Sequence, residues 1–346
     1  MLTQAGRGSP MDLDIVLDSH MPQAELTELG LLAEQCGIRT VWTASYLDGR
    51  DPFTNLAELA AKSSRIRVAP MALNGYEMHP FRIGMALLTL NELCNGRVDT
   101  MIGGGGEVVM ALGIPFEQRV RYVRECLDIV RGMTRNRPFS YAGELFSISG
   151  YDPQWVSAPP PFVYAGANRP QMLRMAASSA DGILMSDLSV NLASGAIAAV
   201  RERMAEIGRD PAGYRFNNFM ARYVYEDAAE ARHEARRWIG FRAIFREYMM
   251  REFMSASDFE KILEHIPAIY AMAAKDEDSV EGLPDHLLDM CVDKLTLTGG
   301  VDELDRIIEH LLEHKAAGVT NICIELKKHQ AHGIRLLGER VLPAIR

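Results

Sequence analysis

The stretch Leu13–Ala44, LDIVLDSHMPQAELTELGLLAEQCGIRTVWTA, decides the fold. The short apolar run Leu13–Asp18 predicts a strand, and Pro22–Cys36 carries apolar residues at helical spacing. A second apolar run, Thr40–Ala44, predicts the next strand. When two strands are joined by such a helix, they pair in parallel, and the connection between them is a right-handed crossover. The stretch therefore predicts a βαβ unit of an α/β protein.

The same alternation continues to the end of the chain. Further strands are predicted at Ile66–Leu73, Arg97–Ile102, Phe162–Ala167, Gly182–Ser186, Arg215–Tyr225 and Thr320–Leu326. Further helices are predicted at Asp51–Ser64, Pro80–Leu93, Phe116–Met133, Val301–Ala317 and about 333–344. Eight strands, each followed by a helix, predict a closed (β/α)8 TIM barrel. An open doubly wound sheet is the alternative, which the count of eight strands disfavours.

Two segments interrupt this alternation. Arg135–Pro161 is rich in glycine, proline and aromatic residues, and residues about 240–294 form an extra helical segment. The apolar anchors of the helical segment are Met249, Met250, Phe253, Met254, Ile262 and Ile266. Insertions after strands 4 and 7 of a barrel are expected at its catalytic mouth. The helical insertion is therefore interpreted either as a lid or as a packed pair of helices without a role in catalysis.

Composition excludes several classes of protein. The 346 residues carry a net charge of -9, which disfavours binding to nucleic acid, because phosphates require a basic face. Five cysteines without CxxC spacing are typical of reduced thiols in a cytoplasmic protein. No apolar run reaches 18 residues, so no membrane span is expected. Residues 1–10 are predicted to be a flexible tail, and residues 11–346 a single domain.

Several local strings together carry a resemblance to a known family. Leu32-Ala33-Glu34 leads to Thr40-Val41-Trp42, and Asp51-Pro52-Phe53 opens the second helix. The remaining strings are Thr89-Leu90-Asn91-Glu92-Leu93-Cys94-Asn95-Gly96-Arg97, Val163-Tyr164-Ala165-Gly166-Ala167-Asn168-Arg169-Pro170 and Ala180-Asp181-Gly182. In this order they resemble the luciferase-like monooxygenase family, and most of all its branch of F420-dependent methylenetetrahydromethanopterin reductases. The resemblance implies an oxidoreductase that uses reduced F420 or FMN at the mouth of the barrel, either for hydride transfer to a small organic substrate or for its monooxygenation.

The resemblance also implies where the cofactor binds. A flat ring would lie against the glycines that end strand four (Gly103, Gly104, Gly105 and Gly106), since residues without side chains permit close approach. The family commonly has a non-proline cis peptide at the end of strand three, which here implies the bond between Met71 and Ala72, followed by Asn74. The phosphate is expected at Gly166, Ala167, Asn168 and Arg169, where a helix begins. Ser186, at the end of strand six, is a further candidate.

Acid–base chemistry is assigned to four polar residues. Asp18 follows strand one, and it is interpreted either as a desolvated proton donor or as a partner of the loop backbone. F420 enzymes usually carry an Asp-His pair after the second-strand Trp, where this chain has Ser45 and Tyr46. Glu107, after the glycines, is another candidate. The first-strand glutamate of the resembled reductases aligns with Val16.

Three further expectations concern cofactor class, metal and assembly. The missing Asp-His pair keeps two alternatives open: an NAD(P)H-dependent reductase of a folate-like substrate that needs no flavin, and a non-catalytic cofactor-binding relative. No metal is expected, because His310 and His314 lack a third ligand and share a helix with Glu309 and Glu313. A homodimer is expected through helices two and three. The small residues that favour it are Ala57, Ala60, Ala61 and Ser64.

Overall fold

A computed structural model describes residues 10–115, 117–242 and 244–346. Its strands are β1 (Asp12–Leu17), β2 (Thr40–Ala44), β3 (Arg67–Met71), β4 (Asp99–Ile102), β5 (Phe139–Ala142), β6 (Ser147–Tyr151), β7 (Phe162–Gly166), β8 (Gly182–Ser186), β9 (Arg215–Tyr225), β10 (Thr296–Gly300) and β11 (Asn321–Leu326). The helices before the helical insertion are α1 (Gln23–Gln35), α2 (Pro52–Lys62), α3 (Pro80–Leu93), α4 (Glu107–Ala111), α5 (Arg119–Arg135), α6 (Pro170–Ser179), α7 (Val190–Glu206) and α8 (Ala228–Trp238). Those within and after it are α9 (Glu247–Met250), α10 (Ala256–Glu264), α11 (Ile266–Lys275), α12 (Asp285–Leu295), α13 (Leu304–Ala316), α14 (Gln330–Leu336) and α15 (Leu342–Ile345).

Eight parallel strands close into a barrel, as predicted. Their hydrogen-bonded order is β3, β2, β1, β11, β9, β8, β7 and β4, and the isolated bridges Val68–Val98 and Leu73–Ile102 join β3 to β4. In this ring β4 lies across the barrel from β11, and β7 lies across from β1. The carboxyl ends of all eight strands therefore surround one mouth, in which β4 faces β11 and β7 faces β1.

The inside of the barrel is filled by side chains from alternating strand positions. One buried cluster consists of Val16, Trp42, Ala69, Met71, Tyr164, Leu184 and Cys323. Below it, at the amino-terminal end of the strands, Asp14 accepts hydrogen bonds from Asn217 (2.9 Å) and Asn321 (2.8 Å). Asp14 is therefore held by partners within the amino-terminal end of the barrel.

The first insertion is an antiparallel hairpin of β5 and β6. It leaves from the carboxyl end of α5 and packs outside the barrel. Phe146 meets His79 and Tyr122 there, and buried Glu125 accepts the backbone amides of residues 144–146. The hairpin starts from the end of the barrel opposite the mouth, but its tip reaches back to the loop after β3, where Phe146 lies 3.5 Å from a Cβ placed on Gly75.

The second insertion is helical, as predicted, and its apolar anchors face its own core. Met249, Met250, Met254 and Ile262 are buried. A 3-10 turn, Ile239–Arg242, connects α8 to it. The strand β10, which the sequence reading missed, ends it by pairing with the second half of β9. β10 is short and ends in two glycines, and it is not one of the eight barrel strands.

Other expectations concern the termini, thiols and surfaces. Residues 1–9 of the predicted tail and Phe116, the predicted start of the fourth helix, lie outside the described residues. All five cysteines are free thiols, as predicted. Ala60 is buried against the barrel, so it cannot contribute to a dimer face, and the dimer itself stays a prediction. Within the described chain, no helix combines the length and apolar character needed to cross a bilayer.

Candidate active site at the mouth of the barrel

One wall of the mouth is formed mostly by backbone, against which the side chain of Met101 packs. Gly103 follows β4, and its amide donates to the Leu73 carbonyl at 2.8 Å. Gly166 ends the neighbouring strand β7, and a Cβ placed on it would lie 3.6 Å from the Cα of Gly103. A Cβ on Gly103 would lie 3.7 Å from Ala72 Cβ. These three residues, which we call the glycine wall, form a surface with little side-chain bulk of its own, and Met101 Sδ lies 2.8 Å from a Cβ placed on Gly166 and 3.5 Å from one placed on Gly103.

The predicted glycine run divides into separate roles. Gly103 belongs to the glycine wall, and a Cβ on Gly104 would lie 2.8 Å from the side chain of Arg119. Gly105 has a φ of 77°, a conformation that favours glycine. Gly106 precedes the short helix α4. Of the four glycines, the structure therefore brings only Gly103 to the glycine wall.

The end of β3 matches the sequence prediction. The peptide bond between Met71 and Ala72 is cis. Asn74 is buried, and its Oδ1 accepts the backbone amides of Tyr76 (3.1 Å) and Glu77 (3.0 Å). Asn74 therefore shapes the loop after β3.

The helix α6 begins beside Gly166 without a side-chain cap. Asn168, which was expected at the phosphate, pairs with the backbone of Ser186, accepting at 3.0 Å and donating at 2.9 Å. Arg169 is exposed, 6.0 Å from the ring of Tyr248. The first amides of a helix lack intrahelical acceptors, so this end of α6 presents donors beside the glycine wall.

The opposite wall carries a buried carboxylate. Glu325 points inward from β11, and its Oε1 lies 2.9 Å from Lys327 Nζ and 3.3 Å from the hydroxyl of Tyr46. Burial alone would raise the pKa of Glu325, but the charges of Lys327 and Arg242 outweigh it and hold the pKa below its ordinary value. Glu325 is therefore an anion at neutral pH.

Arg242, from the turn that begins the helical insertion, joins this wall. Its guanidinium pairs with Glu325 and with Asp187, which follows β8, and Nε lies 3.1 Å from Asp187 Oδ1. The three side chains are at most 6% exposed. Opposing the effect of burial, the two carboxylates raise the pKa of Arg242, so it stays charged. The insertion is thereby attached to the mouth through a buried cation.

Tyr46 extends across the end of β1. It follows β2, yet its hydroxyl reaches Glu325 on β11, and β1 lies between these two strands. Burial, followed by the charge of Glu325, raises the pKa of Tyr46 well above its ordinary value. The phenol is therefore protonated at neutral pH and acts as a hydrogen-bond donor.

Asp18 follows the second of its two interpretations. Its side chain is 49% exposed, so it is not desolvated, and it accepts from the backbone amide of His20 at 2.9 Å. It also pairs with the imidazole of His20, which bridges to Asp48 at 2.9 Å. Hydrogen bonds to these two carboxylates raise the pKa of His20. This chain of charges lies on the outer rim, in a cleft of about 520 Å³ that also contains Lys327.

The remaining predicted residues organise loops. The amide of Ser45 donates to the Met71 carbonyl at 2.5 Å, which connects the ends of β2 and β3. Glu107 accepts the backbone amide of Leu47 at 3.4 Å and so connects α4 to the loop after β2. The Ser186 hydroxyl donates to Asp187 at 2.8 Å. Neither Ser45 nor Glu107 contacts the Glu325 cluster.

The sequence reading missed Glu325, Arg242 and Asp187 as members of the site. Glu325 had a usable signal, because a lone acid within the apolar strand NICIEL shares a face with Asn321 and Cys323. Arg242 had none, since it lies about 80 residues from Glu325 in the chain and in a segment interpreted only as helical.

The histidines of α13 also differ from expectation. His310 approaches Glu313 at 3.2 Å, but His314 is buried and not on a solvated face. Burial lowers the pKa of His314 to about 3, so it is neutral. Within the described chain, the side chains near enough to share an ion are His233, Glu234 and Asp276. Glu234 already pairs there with Lys328 (2.8 Å).

Known proteins resemble this chain over nearly its whole length. The family model for the luciferase-like monooxygenases matches residues 4–321. The chain is similar to 5,10-methylenetetrahydromethanopterin reductase from Archaeoglobus fulgidus, at 25% identity over 341 residues, covering 97% of this chain and 100% of the relative.

Solved structures share the fold. The coenzyme F420 dependent tetrahydromethanopterin reductase from Methanopyrus kandleri superposes with a TM-score of 0.83 at 20% identity, covering 98% of this chain and all of that one. An F420-dependent secondary alcohol dehydrogenase, solved with an F420-acetone adduct, superposes with a TM-score of 0.74 at 18% identity, covering 97% and 100%.

Proposed function

Because the chain belongs to the luciferase-like monooxygenase family of oxidoreductases, we propose that it binds reduced F420 at the mouth of its barrel and transfers hydride to a small organic substrate. The observation that carries the proposal is the glycine wall beside the uncapped start of α6. A deazaflavin needs a flat surface for its ring and donors for its phosphate, and these adjoin here.

The residues fit such a group once the flexible thioether of Met101, which lies against both glycines, turns aside. Gly103, Gly166 and Ala72 would lie under the ring, and the amides of Gln171 and Met172 in the first turn of α6 would face the phosphate, with Arg169 beside them. Pro170 occupies the first helical position, where a missing N–H removes no intrahelical bond. The bound cofactor would supply the hydride.

The protein would supply position and electrostatics. A substrate that rests on the ring would face Glu325 and Tyr46, because β11 lies across the barrel from β4. The attached helical insertion covers one side of the mouth through Arg242 and limits the access of water there. Ser45 and Tyr46 stand where F420 enzymes usually carry an Asp-His pair, so the polar contacts of the substrate would differ from theirs.

Cofactor binding tests the proposal directly. F420, FMN and NADPH are titrated by fluorescence into the protein and into Gly103→Ala, whose new Cβ would meet the chain's own atoms only at ordinary distances of 3.5 Å and more. We expect F420 to bind more tightly than the other two. We expect the variant to bind F420 at least about tenfold more weakly, or by about 1.4 kcal/mol.

The matched control is Gly195→Ala in α7, where a new Cβ would meet no atom within 4 Å. It should bind F420 as the unchanged protein does. Tighter binding of FMN or NADPH than of F420 would refute the cofactor assignment. Equal F420 affinity in Gly103→Ala would refute the placement of the ring.

A further inference from the structure

Lys327, Glu325 and Tyr46 share one oxygen atom. Lys327 Nζ lies 2.9 Å from Glu325 Oε1, and the Tyr46 hydroxyl lies 3.3 Å from the same Oε1. Lys327 is 27% exposed and lines the outer cleft, whereas Glu325 is buried in the wall of the mouth. Two proton-bearing groups, Lys327 and Tyr46, therefore meet at one oxygen of a buried carboxylate, and this contact connects them in a line.

The phenol of Tyr46 is held only weakly by Glu325. Hydrogen bonds between a hydroxyl and an oxygen are usually about 2.7–2.8 Å long, and those to a carboxylate are shorter still. At 3.3 Å, Tyr46 makes a long contact, while Glu325 has closer partners in Lys327 and Arg242. A substrate acceptor atom near the phenol would therefore compete well with Glu325 for the hydrogen bond from Tyr46.

Glu325 lies at the same height in the barrel as a residue of β1. Its partner in the register with β1 is Val16, which faces the same interior. Val16 is the position at which the resembled reductases carry a glutamate. A carboxylate is thus present at this level of the mouth, one strand away on β11.

We propose that Tyr46 is the proton donor of the reaction, that Lys327 and Glu325 resupply its proton, and that the substrate is a carbonyl or imine compound. This inference rests on the proposed function, because the reduced deazaflavin is the hydride donor. Hydride adds to the substrate carbon, and the electron pair of the double bond moves to its oxygen or nitrogen. That atom takes the phenol proton of Tyr46.

The proton is then restored along the line. Glu325 Oε1 passes a proton to the phenolate as it receives one from Lys327, and Lys327 regains one from water in the outer cleft. The cofactor is oxidised by two electrons and the substrate is reduced by two, with one hydride and one proton added. Tyr46 is the catalytic residue, and Glu325 and Lys327 act through it as positioning residues.

Other charged groups near the line set its electrostatics. Arg242, Asp187 and Asp18 surround the carboxylate and phenol, and the ring of His20 stacks 6.2 Å from that of Tyr46. Arg242 does not exchange protons with solvent, because it is buried between Asp187 and Glu325. Lys327 is therefore the solvent-facing cation that contacts Glu325.

A pair of phenol deletions tests the donor. Tyr46→Phe removes the phenol that contacts Glu325. Tyr223→Phe removes another buried phenol near the same carboxylate, whose hydroxyl has no hydrogen-bond partner in the described chain. Both are assayed with reduced F420 and a panel of ketones, aldehydes and methylenetetrahydrofolate, with turnover followed as formation of oxidised F420.

We expect Tyr46→Phe to bind F420 normally and to lose about 10²- to 10⁴-fold in kcat, with the solvent deuterium isotope effect altered. Tyr223→Phe should retain wild-type kcat. Equal losses in both variants, or wild-type kcat in Tyr46→Phe, would overturn the donor assignment while leaving F420 binding intact. Failure of every panel compound to oxidise the bound cofactor would overturn the substrate class. Failure of F420 to bind would instead refute the proposed function.

A second readout does not depend on turnover. Fluorotyrosine placed at position 46 is titrated by ¹⁹F NMR in the protein and in Glu325→Gln. Removing the carboxylate charge should lower the pH at which this phenol ionises. An unchanged titration would show that Glu325 and Tyr46 are not coupled, and the resupply route would fall.

Discussion

Replacing Arg242 by methionine should remove the cation that, within the described chain, pairs with Asp187. Methionine keeps the apolar packing over Phe219, whose ring lies 4.5 Å from the guanidinium carbon. Glu325 keeps Lys327 at 2.9 Å, but Asp187 retains only the Ser186 hydroxyl at 2.8 Å among its side-chain partners. Burial already raises the pKa of Asp187, and without Arg242 it would rise further until the carboxyl is neutral in the folded protein.

The size of the effect follows from the free energy needed to protonate Asp187 in the folded protein. An ordinary aspartate has a pKa of about 3.9, and each pH unit above it costs about 1.4 kcal/mol to keep the group protonated. Arg242→Met should therefore lose at most about 4 kcal/mol of unfolding free energy at pH 7 and at most about 1.5 kcal/mol at pH 5, because part of this cost is already present in the unchanged protein, where burial raises the pKa of Asp187. The loss at pH 7 agrees with the roughly 3–5 kcal/mol typical of a broken buried ion pair.

The assay is equilibrium urea unfolding followed by circular dichroism at both pH values. Arg251→Met is the control, because Arg251 pairs with Glu247 in the same insertion but both side chains are more than 60% exposed. Its cost should stay below about 1 kcal/mol. A loss in Arg242→Met that is equally small, or one that grows as the pH falls, would refute the reasoning.

Three further outcomes are expected. Glu125→Ala removes the acceptor of three backbone amides at 3.0–3.1 Å, so it should cost about 3 kcal/mol and expose the β5–β6 hairpin to limited proteolysis; an unchanged cleavage pattern would contradict this. Arg39 and Arg67 overcome burial and lower the pKa of Asp99, so its stabilisation is present above about pH 4 and lost in acid. Asp99→Asn should therefore flatten the acid limb of a stability–pH profile. In thiol labelling of the native protein, Cys36 alone among the five cysteines should react promptly, since the other four are buried; labelling of two or more would be inconsistent with that burial.

Local pattern was enough to predict the barrel. Strands of the αβ alternation have strong signals, because each is an apolar run bounded by turn residues and followed by an amphipathic helix. The strand Thr296–Gly300 escaped this logic, since two glycines end it and its pairing with Ala221–Tyr225 depends on where β9 leaves the barrel. The hairpin of β5 and β6 was noticed only as an interruption, because its strands pack outside the barrel.

In the candidate site, too, features of consecutive residues were predictable and contacts between remote residues were not. Short strings in family order were sufficient for the glycines of β4 and β7 and for the cis bond after Met71, because these features belong to consecutive residues. Sequence left Asp18 open between a desolvated proton donor and a partner of the loop backbone, since the exposure of its side chain depends on His20 and on how the loop folds.

Sequence by itself determined the period of the elements, the closed ring of eight strands and the backbone surfaces at their ends. Tertiary structure alone decided that Arg242 enters the mouth from a distant helical insertion and that Glu325, Lys327 and Tyr46 share one oxygen. The physical reason is distance along the chain. Hydrophobic period is a local property, whereas a buried charge acquires its partners only when remote segments close around it.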